Sequence, residues 1–199
     1  MSEFQQSPET TCHGAGRYVL HKTVALVGMM GAGKTAVGRG LAARLGVAFL
    51  DSDAEIQDAA NMTVPEIFAR DGEPFFRRKE VQVIARLLDG RPCVLSTGGG
   101  AFLAEENRRA ISARGVSVWL DADLDLLWNR VRHRNTRPLL RTDNPKRSLT
   151  EIYDARVPVY ALADLSVKAD PGYSVEDMVS QVVRTLLTRP DVLEMVDGD

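Results

Sequence analysis

Several things this chain has little of narrow the possibilities early. Two cysteines in 199 residues, Cys12 and Cys93, cannot build a disulfide framework, and neither belongs to a Cys-x-x-Cys pair. His13 stands beside Cys12, but the surrounding segment has no periodicity, so a zinc site is not expected. A reducing cytoplasm is the default for such cysteine usage. No apolar run approaches the length of a membrane span, and Met1 to Tyr18 lacks the apolar stretch of a signal peptide. The near balance of 25 basic against 27 acidic residues, a formal net charge of −2, gives no general pull toward nucleic acid or a membrane surface. There is no internal repeat and no low-complexity block.

What is present is concentrated first in Val24 to Thr35. A short apolar run ends at Gly28, and Gly-x-x-x-x-Gly-Lys-Thr follows, then a helical pattern from Ala36 to Leu45. Strand before and helix after is the setting a phosphate-binding P-loop requires. Gly28, Gly31 and Gly33, with Ala32 among them, let the backbone curl so that its N–H groups face an anion. Lys34 adds a point charge for the β- and γ-phosphates, and Thr35 offers a hydroxyl to Mg²⁺. A nucleoside triphosphate with Mg²⁺ is the expected ligand, contacted by residues Gly28 and Gly31 through Ala36.

Strands and helices then alternate. Strands are expected at Ala48–Asp51, Cys93–Ser96, Val116–Leu120 and Leu165–Lys168. Helices are expected at 54–60, with Asp53 as cap, and at 64–70 behind the Thr63-x-x-Glu66 capping box. Further helices should cover 73–88, 105–113, 124–131, a stretch from Ser148 toward Tyr160, and 174–187. Continuously apolar strands separated by helices predict an α/β protein with a parallel sheet covered on both faces. Residues 1–21 read as a disordered extension, 22–188 as one domain and 189–199 as a loose acidic tail.

Three stretches should share the P-loop's edge of the sheet, where ligands gather beyond the carboxyl ends of parallel strands. Asp51 and Asp53 can hold Mg²⁺ through water and orient an acceptor hydroxyl; equally, Asp53 caps a helix and Asp51 is solvated. Gly98-Gly99-Gly100 exposes bare amides to an anion, or is simply a flexible turn. Arg77, behind Phe75-Phe76, is either a carboxylate clamp or one more residue of a solvated basic face with Arg78 and Lys79. The arginine-rich segment about 130–147 has no aromatic residues interleaved for base stacking, so a lid over phosphates is expected instead of a nucleic-acid site. Arg137, beside Pro138, is the arginine to aim at the transferring phosphoryl group. Arg156 by itself reads as an ordinary helix-surface residue.

Taken together, these marks resemble the shikimate kinase family of P-loop kinases. The matching motifs are Gly-Met-Met-Gly-Ala-Gly-Lys-Thr at 28–35, Phe-Leu-Asp-Ser-Asp at 49–53 and Phe-Arg-Arg-Lys-Glu at 76–80. Thr-Gly-Gly-Gly-Ala at 97–101, Asn-Thr-Arg-Pro-Leu-Leu at 135–140 and Arg156-x-x-x-Tyr160 complete the set, in the family's order. The resemblance implies transfer of the γ-phosphate of ATP to the 3-hydroxyl of shikimate. It also implies a three-layer α/β/α fold with a five-stranded parallel sheet, a substrate-binding helical segment about 51–80 and a mobile lid. By the same resemblance Asp53 holds the reacting hydroxyl and is the candidate base. Arg77, Arg156 and the Gly98–Gly100 backbone grip shikimate, and Lys34 and Arg137 stabilise phosphoryl charge. Arg130 packs on the adenine, and Thr35, with Asp51 through water, holds Mg²⁺. Ala36 departs from relatives that carry a second hydroxyl there. The nearest rivals are gluconate or nucleoside-monophosphate kinases of the same fold, and a nucleotide-binding regulator without catalysis. A monomer is expected, because no apolar stripe is left over once the core is assigned.

Overall fold

The computed structural model describes residues 17–132, 140 and 142–196. Its centre is β2, Thr23–Val27, in which all five residues are buried. A strand covered on both faces tolerates no alternation of polar residues, which is why Thr-Val-Ala-Leu-Val runs almost unbroken. Beside it lie β3 (Phe49–Asp51), β4 (Val94–Ser96), β5 (Gly115–Asp121) and β6 (Leu165–Lys168) in the spatial order β3-β4-β2-β5-β6, every neighbouring pair parallel. The chain leaves β2 in one direction and reaches β5 on the other side, so a crevice opens at the carboxyl edge where the order reverses.

Helix α1 (Lys34–Leu45) follows the P-loop and packs with α8 (Val175–Leu186) against the sheet. Its Gly38 lies so close to the sheet that a methyl group there would come within 2.7 Å of Phe49 Cε2. Helices α2 (Ser52–Ala60), α3 (Val64–Asp71) and α4 (Glu73–Leu88) form a satellite around Ile56, Ile67 and Phe76, separate from the main core. Phe68 meets Phe76 edge-on at 4.9 Å between ring centroids. That small core fixes α2 and α4 relative to each other. Helices α5 (Glu105–Arg114), α6 (Leu124–Val131) and α7 (Pro145–Tyr160) complete the flanks.

Three local expectations are corrected. Asp51, not Asp53, caps α2: its carboxylate accepts from the amides of Asp53 at 3.1 Å and Ala54 at 3.3 Å. The helix toward Tyr160 opens three residues early, at Pro145 behind an Asn144 cap, because proline suits the first helical turn better than a loop. The end segments are also more ordered than the sequence indicates. Arg17–Leu20 forms β1, paired antiparallel with β7, Leu193–Val196. Val192 and Leu193 are buried, and Tyr18 and Leu20 pack on the main core. Lys22 Nζ reaches Asp191 at 2.7 Å beside this pairing. Two four-residue strands gain enough apolar burial from the core to order segments that look featureless on their own.

Candidate functional site

The P-loop turns on Gly28, Gly31 and Gly33, with φ of 136°, 86° and 100°, values that side chains disfavour. Gly33 is also the N-cap of α1 and supplies no side-chain acceptor. The first amides of α1 are therefore left as donors at the positive end of the helix dipole. Lys34 Nζ folds back to the carbonyls of Gly28 (2.8 Å) and Met29 (3.0 Å), which holds its charge over the loop. Arg130, from α6, donates from Nη1 to the carbonyls of Gly31 and Ala32, each at 3.3 Å. Burial there pulls the Arg130 pKa down.

Thr35 donates its hydroxyl hydrogen to Asp51 Oδ2 at 3.4 Å, while Asp51 Oδ1 is occupied by the α2 amides. One carboxylate thus ties the helix after the P-loop to the helix that carries Asp53. These side chains open onto a crevice of about 690 Å³ that runs on to Thr97, Gly98 and Gly99. Its far wall is Arg130, expected there from the family resemblance, together with Tyr173, Val175 and Met178, which no sequence feature assigns to the site. Tyr173 and Val175 are exposed apolar side chains at the mouth, and only their proximity to the P-loop in three dimensions marks them out.

The glycine turn is where the remaining groups converge. Thr97 anchors it by donating from Oγ1 to the Leu26 carbonyl at 2.9 Å, and the Gly98 amide donates to Ser52 Oγ at 3.2 Å. A methyl group on Gly98 would lie 2.5 Å from Asp53 Oδ1 and 3.1 Å from Glu80 Oε1. One on Gly100 would lie 2.6 Å from Arg77 Nη2. Close approach is thus the reason for glycine at both positions. Arg156, from α7, donates to the Gly99 carbonyl at 3.4 Å, and the Tyr160 hydroxyl donates to the same oxygen. Asp53, Arg77, Arg156 and Gly98–Gly100 are therefore brought together, as expected, while Arg137 lies outside the described residues.

Glu80 is the residue that sequence reasoning passed over. It is fully buried, and its Oε2 accepts from Arg77 Nη1 at 2.9 Å. Arg77 also bonds Glu73 Oε1 at 2.9 Å, so it is held from two sides. Glu80 Oε1 has no hydrogen-bond partner among the described residues. Burial pushes the Glu80 carboxyl above the usual carboxylate range, against the pull of the Arg77 guanidinium. On Arg77 the balance is reversed: burial works against its charge, but Glu80 and Glu73 together outweigh it and raise its pKa. A signal was available in the sequence: Phe76, Glu80, Ile84 and Leu87 share one buried stripe of α4, and a glutamate on such a stripe needs a partner.

Thr35 and Asp51 offer a hydroxyl and a carboxylate, and among the described residues no cluster of three or more His, Cys, Asp or Glu forms. Such a sparse oxygen set fits Mg²⁺, which keeps several waters and binds largely through substrate phosphates.

The shikimate kinase family model matches residues 30–187. A shikimate kinase of Ruegeria pomeroyi is 65% identical over 195 residues, covering 98% of this chain and all of the relative. One of Cereibacter sphaeroides is 67% identical over 175 residues, 88% of this chain and 87% of the relative. Among solved structures, a shikimate kinase from Acinetobacter baumannii in complex with shikimate superposes with a TM-score of 0.79 at 37% identity, covering 84% of this chain and 93% of that one. With its P-loop and Asp53 in one crevice, and with a family model and close relatives that span nearly its whole length, the protein belongs to the shikimate kinase family.

Proposed function

We infer that this protein is a shikimate kinase, which transfers the γ-phosphate of ATP to the 3-hydroxyl of shikimate to give shikimate 3-phosphate and ADP. The observation that carries this reading is the crevice in which the P-loop, Asp53, Gly98 and Gly99 meet, with Arg77 and Arg156 set against the same glycine turn. Two guanidinium groups suit a carboxylic acid, and a carboxylate suits a hydroxyl.

On the nucleotide side, the amides of residues 31–36 and Lys34 hold the β- and γ-phosphates. Arg130 and the Tyr173–Val175 wall line the crevice beside the P-loop and are the surfaces against which the adenine would pack. Mg²⁺, when bound through Thr35 and, by way of water, Asp51, neutralises charge on the phosphates. On the acceptor side, Arg77 and Arg156 clamp the shikimate carboxylate, and the glycine amides support the ring. Asp53 accepts the hydrogen bond of the reacting hydroxyl, orients that oxygen for in-line attack and takes its proton as the bond to phosphorus forms. The family resemblance gives Arg137 the charge on the transferring group.

Among the described residues no helix is long and apolar enough to cross a membrane. A cytoplasmic, monomeric enzyme is the accompanying proposal, to be checked by light scattering. The decisive assay is ADP release by the purified protein with Mg-ATP, offered shikimate, gluconate and nucleoside monophosphates separately. Turnover with shikimate alone is expected. Turnover with another acceptor, or ATP binding with none, overturns the reading.

A further inference from the structure

Tyr160 is the largest fully buried side chain among the described residues, lies beside the glycine turn, and is not used by the reaction itself. It closes α7, its side chain is fully buried, and its hydroxyl donates to the carbonyl of Gly99 in the middle of the glycine turn. Its ring lies against Trp119, with centroids 6.5 Å apart and planes 28° from parallel. Trp119 is itself held by the P-loop's strand: it stands opposite Val27 in the β2–β5 register, and a methyl on Gly28 would come within 3.3 Å of its Cδ1. The hydroxyl is therefore mounted on a rigid stack braced by the first glycine of the nucleotide site.

A trans peptide points its carbonyl and its N–H in opposite directions. Fixing the Gly99 carbonyl toward α7 turns the N–H of the same peptide, borne by Gly100, away from α7, and Gly100 is the residue that lies against Arg77. In a run of three glycines nothing else in the local sequence fixes that peptide, because glycine accepts either orientation. Arg156 contributes only a longer contact, 3.4 Å, to the same oxygen. Arg156 itself lies against the Tyr160 hydroxyl, so the tyrosine holds both the carbonyl and the neighbouring guanidinium. Burial keeps the Tyr160 hydroxyl protonated, since it raises the pKa against the opposing influence of Arg156 and Arg77.

We propose that Tyr160 is a positioning residue for the acceptor half of the site: its hydroxyl sets the orientation of the Gly99–Gly100 peptide, and through it the donors that meet the substrate's carboxylate. This rests on the reading that Arg77, Arg156 and the glycine turn bind shikimate.

The test is Tyr160→Phe, which keeps the ring and its stacking and removes only the hydroxyl. Loss of one well-aligned hydrogen bond and of peptide order should raise the shikimate KM about tenfold, with the ATP KM within about twofold. Leu149→Val, at a buried position of the same helix, is the stability control and should lower Tm without moving the shikimate KM. An unchanged shikimate KM in Tyr160→Phe overturns the proposal, as does an equal rise for ATP and shikimate. A comparable rise in Leu149→Val assigns the effect to helix stability and also overturns it. Arg77→Ala, measured alongside, separates the two levels of argument. If it raises the shikimate KM while Tyr160→Phe does not, only the role of Tyr160 falls; if neither does, the acceptor-site reading falls with it.

Discussion

Glu80 accepts a 2.9 Å hydrogen bond from Arg77, three residues before it on α4, with one carboxylate oxygen and buries the other against Gly98. This pair lies between the satellite core of α2–α4 and the glycine turn, so a substitution in it bears on both. Arg77 is aimed at the glycine turn because Glu80 and Glu73 hold its two sides, and that order is in place before any substrate arrives.

Arg77→Ala should therefore have two separable effects. The shikimate KM should rise by about two orders of magnitude, in keeping with loss of a charge-assisted bidentate contact, while the ATP KM stays within about twofold. Stability should fall by about 2 kcal/mol, below the full penalty for breaking a buried pair because Arg77 is itself partly exposed. Steady-state kinetics and urea melts read the two effects independently. An unchanged shikimate KM defeats the clamp.

The raised pKa of Glu80 gives a pH signature with a definite sign. Its folded value lies above the ordinary 4.5, so the native state holds this proton more tightly than the unfolded chain. The associated stability is fully present below 4.5 and is lost as pH rises through the folded value. Glu80→Gln cannot titrate. The stability of the natural protein relative to this variant should thus decline as pH is raised from about 4 toward neutrality. A difference that is flat with pH, measured by Tm at matched ionic strength, places the proton elsewhere.

Asp53 is expected to act only on the acceptor hydroxyl. Asp53→Asn should reduce kcat by about 10²- to 10⁴-fold, the range for a lost general base, and leave ATP affinity within about twofold. The cap of α2 belongs to Asp51, so the helix should survive the change and Tm should move little. Nucleotide titration and a turnover assay suffice, and full activity removes Asp53 from the mechanism.

These residues also show how far a sequence can be read. The P-loop and the parallel sheet are legible, because each is carried by a contiguous motif or an apolar run; the meeting of Asp53, Arg77, Arg156 and the glycine turn is legible only through the family resemblance, since Arg156 alone reads as a helix-surface residue. Helix α4 was read to its bounds, Glu73–Leu88, from its apolar stripe. What escaped depends on partners distant in the chain. β1 has meaning only beside β7, and Arg17 faces Val196. The Tyr173–Met178 wall becomes part of the site only when α8 packs on α1. Glu80 was hidden differently, since a helix stripe is recognised by its apolar members and its one charged member is easily assigned to the surface.

Asp51 provides the sharpest separation of structural from chemical duty. One of its oxygens caps α2 and the other accepts from Thr35. Asparagine caps a helix as well as aspartate does but lacks the charge to support a cation. Asp51→Asn should therefore keep Tm within a degree or two and raise the Mg²⁺ concentration needed for half-maximal rate. Asp51→Ala should raise the Mg²⁺ requirement as well, and should also lower Tm by losing about 1 kcal/mol of stability with the cap. If the two variants shift the Mg²⁺ requirement equally and Tm not at all, the capping role fails. If both lose stability while the Mg²⁺ requirement stays where it was, Asp51 belongs to the fold alone, and the cation is held on this side by Thr35 without it.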